Sequence, residues 1–210
     1  MVRNRFMATE GSHDWYHIER VRNIALLLAE KEGGNKEVIE LAALLHDLED
    51  YKLKDHLAAV PTIHQWLKQE GVEKEIADKI ITMIDEVSFK GSGVETRCSS
   101  LESMILQDAD RLDAIGAIGI ARAFAYGGKK GNPIFLPDEK PTLHTSFEDY
   151  KQNNGSTIQH FHEKLLHIKD RINTQTAKHL AKERHQFMET FLQQIFQELN
   201  LKKMELHDGE

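Results

Sequence analysis

Ile39-Glu-Leu-Ala-Ala-Leu-Leu-His-Asp-Leu-Glu-Asp50 is the stretch whose reading decides the fold. Ile39, Ala42, Ala43 and His46 recur at helical spacing, so the imidazole continues the apolar stripe of a helix rather than its wet face. Asp47 follows directly, and neighbours on a helix lie about 100° apart, so both side chains can flank one point. Burying such a pair is costly unless something compensates. Two other segments repeat the pattern. His17 shares a stripe with Val21, Ile24 and Leu28, and Asp110 lies one turn from Leu106 and Ala114. Three helices thus aim two imidazoles and two carboxylates at one buried point. A lone histidine of this kind reads as an ordinary core residue with a hydrogen-bond partner; the conjunction points instead to a divalent cation. Neutral imidazole suits Mn, Fe, Co, Ni or Zn, and carboxylates also suit Mg.

The flanking sequence reads as further helices. Ser12 and Asp14 are cap residue types for the first, which Gly33-Gly34-Asn35 ends. The second runs from about Lys36 to Asp50. Pro61 suits the first turn of a third, through about Glu70, and Ile76, Ile80 and Ile84 mark a fourth. Phe89 to Gly93 reads as a loop. Ser99 or Ser100 caps a long helix through about Tyr126, in which Gly116-Ala-Ile-Gly119 predicts a close packing contact. Residues 127–145, with Pro133, Pro137 and Pro141, read as an irregular connection long enough to serve as a lid. Ile158, Phe161, Leu165 and Ile168 mark another helix. Thr174 opens the last, striped by Ala177, Leu180, Ala181, Phe187, Met188, Phe191, Leu192, Ile195 and Leu199. No segment alternates with period two. The expectation is an all-α single domain over 1–210, with a metal-binding core at about 12–126 and a helical extension at about 146–206.

Composition narrows the class. A chain of 210 residues, 40% apolar and 29% charged, suits one soluble globular domain with a sizeable core. Its net charge of −7 argues against a polynucleotide surface, which needs Lys and Arg, but leaves room for a small phosphate ester. The single cysteine, Cys98, allows no internal disulfide. With no signal-peptide pattern and no membrane-length apolar run, the expected location is cytoplasmic. The apolar last helix leaves a homodimer open.

The pattern His17, His46-Asp47 and Asp110 resembles the HD-domain metal-dependent phosphohydrolase superfamily. His13 to Val21, Leu44 to Asp50, Val87 to Gly91, Gln107 to Gly116 and His160 to Leu165 resemble a bacterial subfamily of small stand-alone HD hydrolases, so the likeness spans nearly the whole chain. The resemblance implies an HD helical bundle and one divalent cation held by His17, His46, Asp47 and Asp110. It prefers Asp110 over Asp108 and Asp113 because the family's final aspartate sits in an Ala-Asp-Arg-Leu context, here Ala109 to Leu112; helix geometry alone leaves that choice open. Asp113 shares the face of Asp110 and is a candidate to support the ligands from behind. Asp14 reads equally as a plain helix cap or as the acceptor for the other ring N–H of His17. Two-metal relatives carry extra histidines between the HD pair and the last aspartate. Here only His56 and His64 lie there, neither on the fourth helix, so one metal is expected.

The chemistry so implied is metal-assisted hydrolysis at phosphorus. Glu49 or Asp50 is placed to take the proton of the attacking water, and Asp47 is the third candidate. Related guanosine polyphosphate hydrolases use a Glu-Asp pair offset by one residue from the spacing here. Lys52, Lys90, Arg111 and Arg122 are the expected phosphate contacts, since charge develops there in the transition state. Arg20 and Arg22 are expected only to solvate the first helix. The Gly127 to Gly131 run lacks the phosphate-loop signature. By resemblance the substrate is a nucleotide, a nucleoside or deoxynucleoside triphosphate. The alternatives are a guanosine polyphosphate or nucleoside monophosphate, or a nucleotide- or metal-sensing module with little turnover.

Overall fold

Helix α1 (Trp15–Glu32) begins at Asp14, whose carboxylate accepts from the main-chain N–H of His17, and ends at Gly33, whose φ of 96° only glycine adopts freely. In the computed structural model, which describes residues 14–48, 62–87, 96–137, 139 and 155–199, every described element is helical. Helix α2 (Lys36–Leu45) is capped by Asn35, α3 (Ile63–Gln69) by a reciprocal Thr62–Gln65 box, and α4 (Lys74–Val87) follows. Then come α5 (Leu101–Asp113), capped by Ser100, and α6 (Gly116–Lys130). A short α7 (Thr157–Glu163) leads through a 3₁₀ segment (Leu165–Arg171) to α8 (Gln175–Glu198).

The largest interfaces join α1 to α5 and to α2, with α4 closing over α5 and α8 lying along α6. Their shared core keeps the sequence stripes in part: Val21 and Leu28 of α1, Ile39, Ala42 and Ala43 of α2 and Leu106 of α5 have no exposed surface, as do Ile18, Ala25, Ile105, Ala109 and Leu112 beside them, while Ile24 and Ala114 are only partly buried. Each fully buried Leu, Ile or Val contributes about 1.5–3 kcal/mol, so these three helices are fixed firmly against one another.

Several expected elements differ. The long helix to Tyr126 is two helices, broken at Ala114-Ile115, because Gly116 takes φ 76° and an α-helix cannot run through a positive φ. Gly119 does make a close contact, but with its own turn: a Cβ there would lie 2.3 Å from the Ala114 carbonyl oxygen. Residues 127–130 are not irregular; α6 continues to Lys130 and stops at Gly131 in the left-handed region. The second helix ends at Leu45, leaving His46 as its cap and Asp47 in the following turn. The Ile158–Ile168 stripe is split between α7 and the 3₁₀ segment. On α8 the buried stripe is Ala177, Ala181, His185, Met188, Leu192 and Phe196, so Phe187 and Leu199 are exposed.

One polar strut ties α5 to the last helix. Asp108, with no exposed surface, accepts from the main-chain and side-chain N–H of Asn173 at 2.8 and 2.9 Å, and from the Thr174 main-chain N–H and hydroxyl at 2.8 Å each. Thr174 stands at the N-cap of α8 but makes no cap bond of its own; the carboxylate from α5 serves the helix start instead.

Candidate metal centre

Three elements converge on one buried point. α1 turns His17 inward, where it is 1% exposed; the end of α2 supplies His46 and Asp47; α5 supplies Asp110 and, one turn on, Asp113. His17 Nε2 lies 3.3 Å from Asp47 Oδ2 and 3.5 Å from Asp110 Oδ1. His46 Nε2 lies 3.5 Å from Asp47 Oδ1 and 3.9 Å from Asp110 Oδ1. The ligand atoms of His17, His46 and Asp47 all fall within 4.8 Å of one another. Donors about 2.1 Å from a common ion at ordinary bond angles lie about 3.0–3.4 Å apart, whereas a good N–H···O bond is shorter, about 2.9 Å. The observed separations, 3.3–3.9 Å, are longer than a good hydrogen bond and leave room for an ion between the donors.

The hydrogen bonds agree. His46 Nδ1 lies 2.8 Å from the Ala43 carbonyl oxygen, so it is the protonated nitrogen. Nε2 is then a lone pair, and it is buried with no hydrogen-bond partner. An orphaned acceptor of that kind is costly unless a Lewis acid meets it. Two imidazoles and two carboxylates fit a divalent cation in charge and in donor type.

Behind His17 stands a charged cluster. Its Nδ1 lies 2.7 Å from Asp113 Oδ2. Arg20 donates to both Asp113 oxygens at 2.7 and 3.1 Å, and Arg122 donates to Oδ2 at 2.6 Å and to the Asp113 carbonyl at 3.2 Å. Burial alone would raise the Asp113 carboxyl, but the bonds from His17 and Arg20 and the charge of Arg122 outweigh it and hold it far below the usual range. Burial opposes charge on His17 in turn, yet its bonds to Asp113 and Asp47 lift the metal-free imidazole to about 9.

The expected site residues are thus sorted by position. His17, His46, Asp47 and Asp110 come together. Asp14 is a helix cap, bonded to the His17 main chain, and the ring is met by Asp113. Arg111 does not line this point: its guanidinium donates to the Arg171 carbonyl and, at 2.8 Å, to the Thr96 hydroxyl, because one residue beyond Asp110 the helix has turned about 100°. Arg122 is near, but its charge is engaged by Asp113. Arg20 is no mere solvating residue, while Arg22 does pair across the surface with Glu40. Arg20 could have been found from its spacing, since it follows His17 by three on the same face. Glu49, Asp50, Lys52 and Lys90 lie outside the described residues.

The sequence matches the HD domain family model over residues 14–115. It is 42% identical over 187 residues to YpgQ of Bacillus subtilis, covering 88% of this chain and 83% of that protein. The crystal structure of YpgQ in complex with ADP superposes with a TM-score of 0.74 at 36% identity, covering 94% of this chain and 95% of that one. A Lactobacillus plantarum protein gives a TM-score of 0.82 at 36% identity, covering 95% and 93%. An HD-superfamily hydrolase from Bacillus thuringiensis gives 0.71 at 38% identity, covering 96% and 94%. Likeness of that extent means that the chain belongs to the HD-domain superfamily of hydrolases, whose general class is the metal-dependent phosphohydrolase.

Proposed function

We propose that this chain hydrolyses a nucleotide, a nucleoside or deoxynucleoside triphosphate, at a single divalent-metal centre made by His17, His46, Asp47 and Asp110. The observation that supports the centre is the buried, partnerless Nε2 of His46, aimed at two carboxylates. The ADP complex of YpgQ supports the ligand class. A cation so held supplies Lewis-acid polarisation of a phosphoryl oxygen and acidifies water. The residues do the rest. His17 and His46 present Nε2 lone pairs, and their other nitrogens are fixed by Asp113 and the Ala43 carbonyl. Asp47 and Asp110 balance the charge of the ion. Asp47, Glu49 or Asp50 takes the water's proton, and Lys52 and Lys90 meet the phosphates.

The test is product release from a panel of nucleoside triphosphates, deoxynucleoside triphosphates, diphosphates, monophosphates and guanosine polyphosphates with Mn or Mg. Pyrophosphate and phosphate report different scissile bonds. His46→Ala and Asp110→Ala are expected to abolish turnover; retained turnover in both would refute the centre. Binding without turnover across the whole panel would make the chain a sensor instead.

A further inference from the structure

We infer that Asp113, gripped by Arg20 and Arg122, is the positioning residue that fixes the tautomer and aim of His17; this rests on the metal-centre reading above. Both Asp113 oxygens receive arginine donors: Arg20 Nε on Oδ1 at 2.7 Å, Arg20 Nη2 on Oδ2 at 3.1 Å, and Arg122 Nη1 on Oδ2 at 2.6 Å. Guanidinium has donors only, so the carboxylate is the acceptor in each contact. His17 Nδ1, 2.7 Å from the same Oδ2, is therefore the donor. When the ring gives up its second proton to bind an ion, the lone pair therefore appears on Nε2, which faces Asp47 and Asp110. The opposite tautomer would turn a protonated nitrogen toward the ion and two lone pairs toward each other.

Asp14, the other carboxylate at the start of α1, is engaged by the His17 main chain. The cluster also joins three helices: His17 and Arg20 from α1, Asp113 from α5 and Arg122 from α6. Asp113 and His17 are each 1% exposed, so water does not replace the bond if it is lost. A merely structural ion pair would affect stability when broken and leave cation affinity alone. A positioning residue affects the affinity of a protein that is still folded.

The experiment uses the full chain, stripped with chelator and titrated with Mn²⁺ alone by calorimetry. Asp113→Asn keeps the shape and is expected to weaken Mn²⁺ binding by about 10–100-fold, the usual effect of losing a ligand's orienting partner. In Zn²⁺-loaded protein with ¹⁵N-labelled histidine, wild type is expected to show His17 protonated at Nδ1 and ligated at Nε2, and the variant to lose that signature. If Asp113→Asn does not fold, Arg20→Gln serves. It removes the fork that spans Oδ1 and Oδ2, keeps the His17–Asp113 bond, and is expected to weaken Mn²⁺ binding by a smaller factor. Wild-type affinity in a folded Asp113→Asn, or in Arg20→Gln, overturns the positioning role while leaving the metal centre standing. Wild type that takes up no Mn²⁺ overturns the centre itself.

Discussion

Replacing Asp108 by asparagine tests whether the C-terminal helix is held to the metal-bearing helix by one buried carboxylate. Asp108 accepts four hydrogen bonds, two on each oxygen. Asn keeps one oxygen and turns the other into a donor. Whichever way the amide faces, one main-chain N–H and one side-chain donor, from Asn173 or from Thr174, lose their acceptor. Hydrogen bonds to a charged group contribute about 1.5–3 kcal/mol each, so the loss is about 3–6 kcal/mol. If the Thr174 hydroxyl rotates to accept from the new amide, about 1 kcal/mol returns. The expected net cost is about 2–5 kcal/mol, close to what breaking a buried charged pair costs. At about 2–4 °C per kcal/mol for a chain of this size, the Tm falls by about 10 °C. The assay is thermal unfolding by circular dichroism in chelator, beside Asp78→Asn, a change at an exposed helix position expected to stay within about 0.5 kcal/mol. An Asp108→Asn shift no larger than that of Asp78→Asn would refute the strut.

Other outcomes follow from the same contacts. His17 of the metal-free protein sits at about 9, so binding Mn²⁺ at pH 7.5 should release close to one proton; calorimetry in buffers of different ionisation enthalpy measures it, and zero release contradicts ligation by that ring. His160 is pushed down to about 3 by burial and then by the charge of Lys164. Its contribution to stability is present above the ordinary histidine value of about 6.5 and is lost as pH falls toward the folded value. His160→Gln should therefore flatten the acid limb of the stability curve between pH 6.5 and 4, as read by urea unfolding. A Cβ at Gly127 would lie 2.2 Å from the buried Thr157 hydroxyl, while one at Gly128 would meet nothing within 4 Å. Gly128→Ala should gain up to about 1 kcal/mol of helix propensity, and Gly127→Ala should lose about 1–2 kcal/mol net to overpacking; equal effects would contradict the packing of α6 on α7.

What the sequence revealed was what one helix can encode by itself. His17, His46 and Asp110 each occupy an apolar stripe, and a stripe must face the core, so their convergence followed from period alone. The break at Gly116 was hidden by the same rule. Ile105, Leu106, Ala109 and Leu112 run on in phase toward Ala117 and Ala121, and only a backbone angle, φ 76°, marks the interruption. Pairings between helices were harder still. Asp14 and Asp113 are both aspartates within reach of α1, and local spacing favoured neither. The helix start settles it, because the first-turn N–H of His17 donates to the nearer carboxylate. The ring is left to a residue 96 positions away.

Arg20 shows why the surface rule for arginine failed here. A guanidinium three residues from a buried histidine is driven inward only if a carboxylate waits there, and Asp113 becomes that carboxylate only once α5 packs on α1. The two arginines in turn explain how Asp113 can stay ionised with 1% exposure beside a cation site already rich in acid. One carboxylate set against two guanidiniums carries a local surplus of one positive charge, which opposes the charge of Asp47 and Asp110 across the His17 ring. The imidazole is therefore held between a basic side that orients it and an acidic side that shares its ion. An ion-pair cluster in this place does more than glue α1, α5 and α6 together: it sets which nitrogen of His17 faces Asp47 and Asp110.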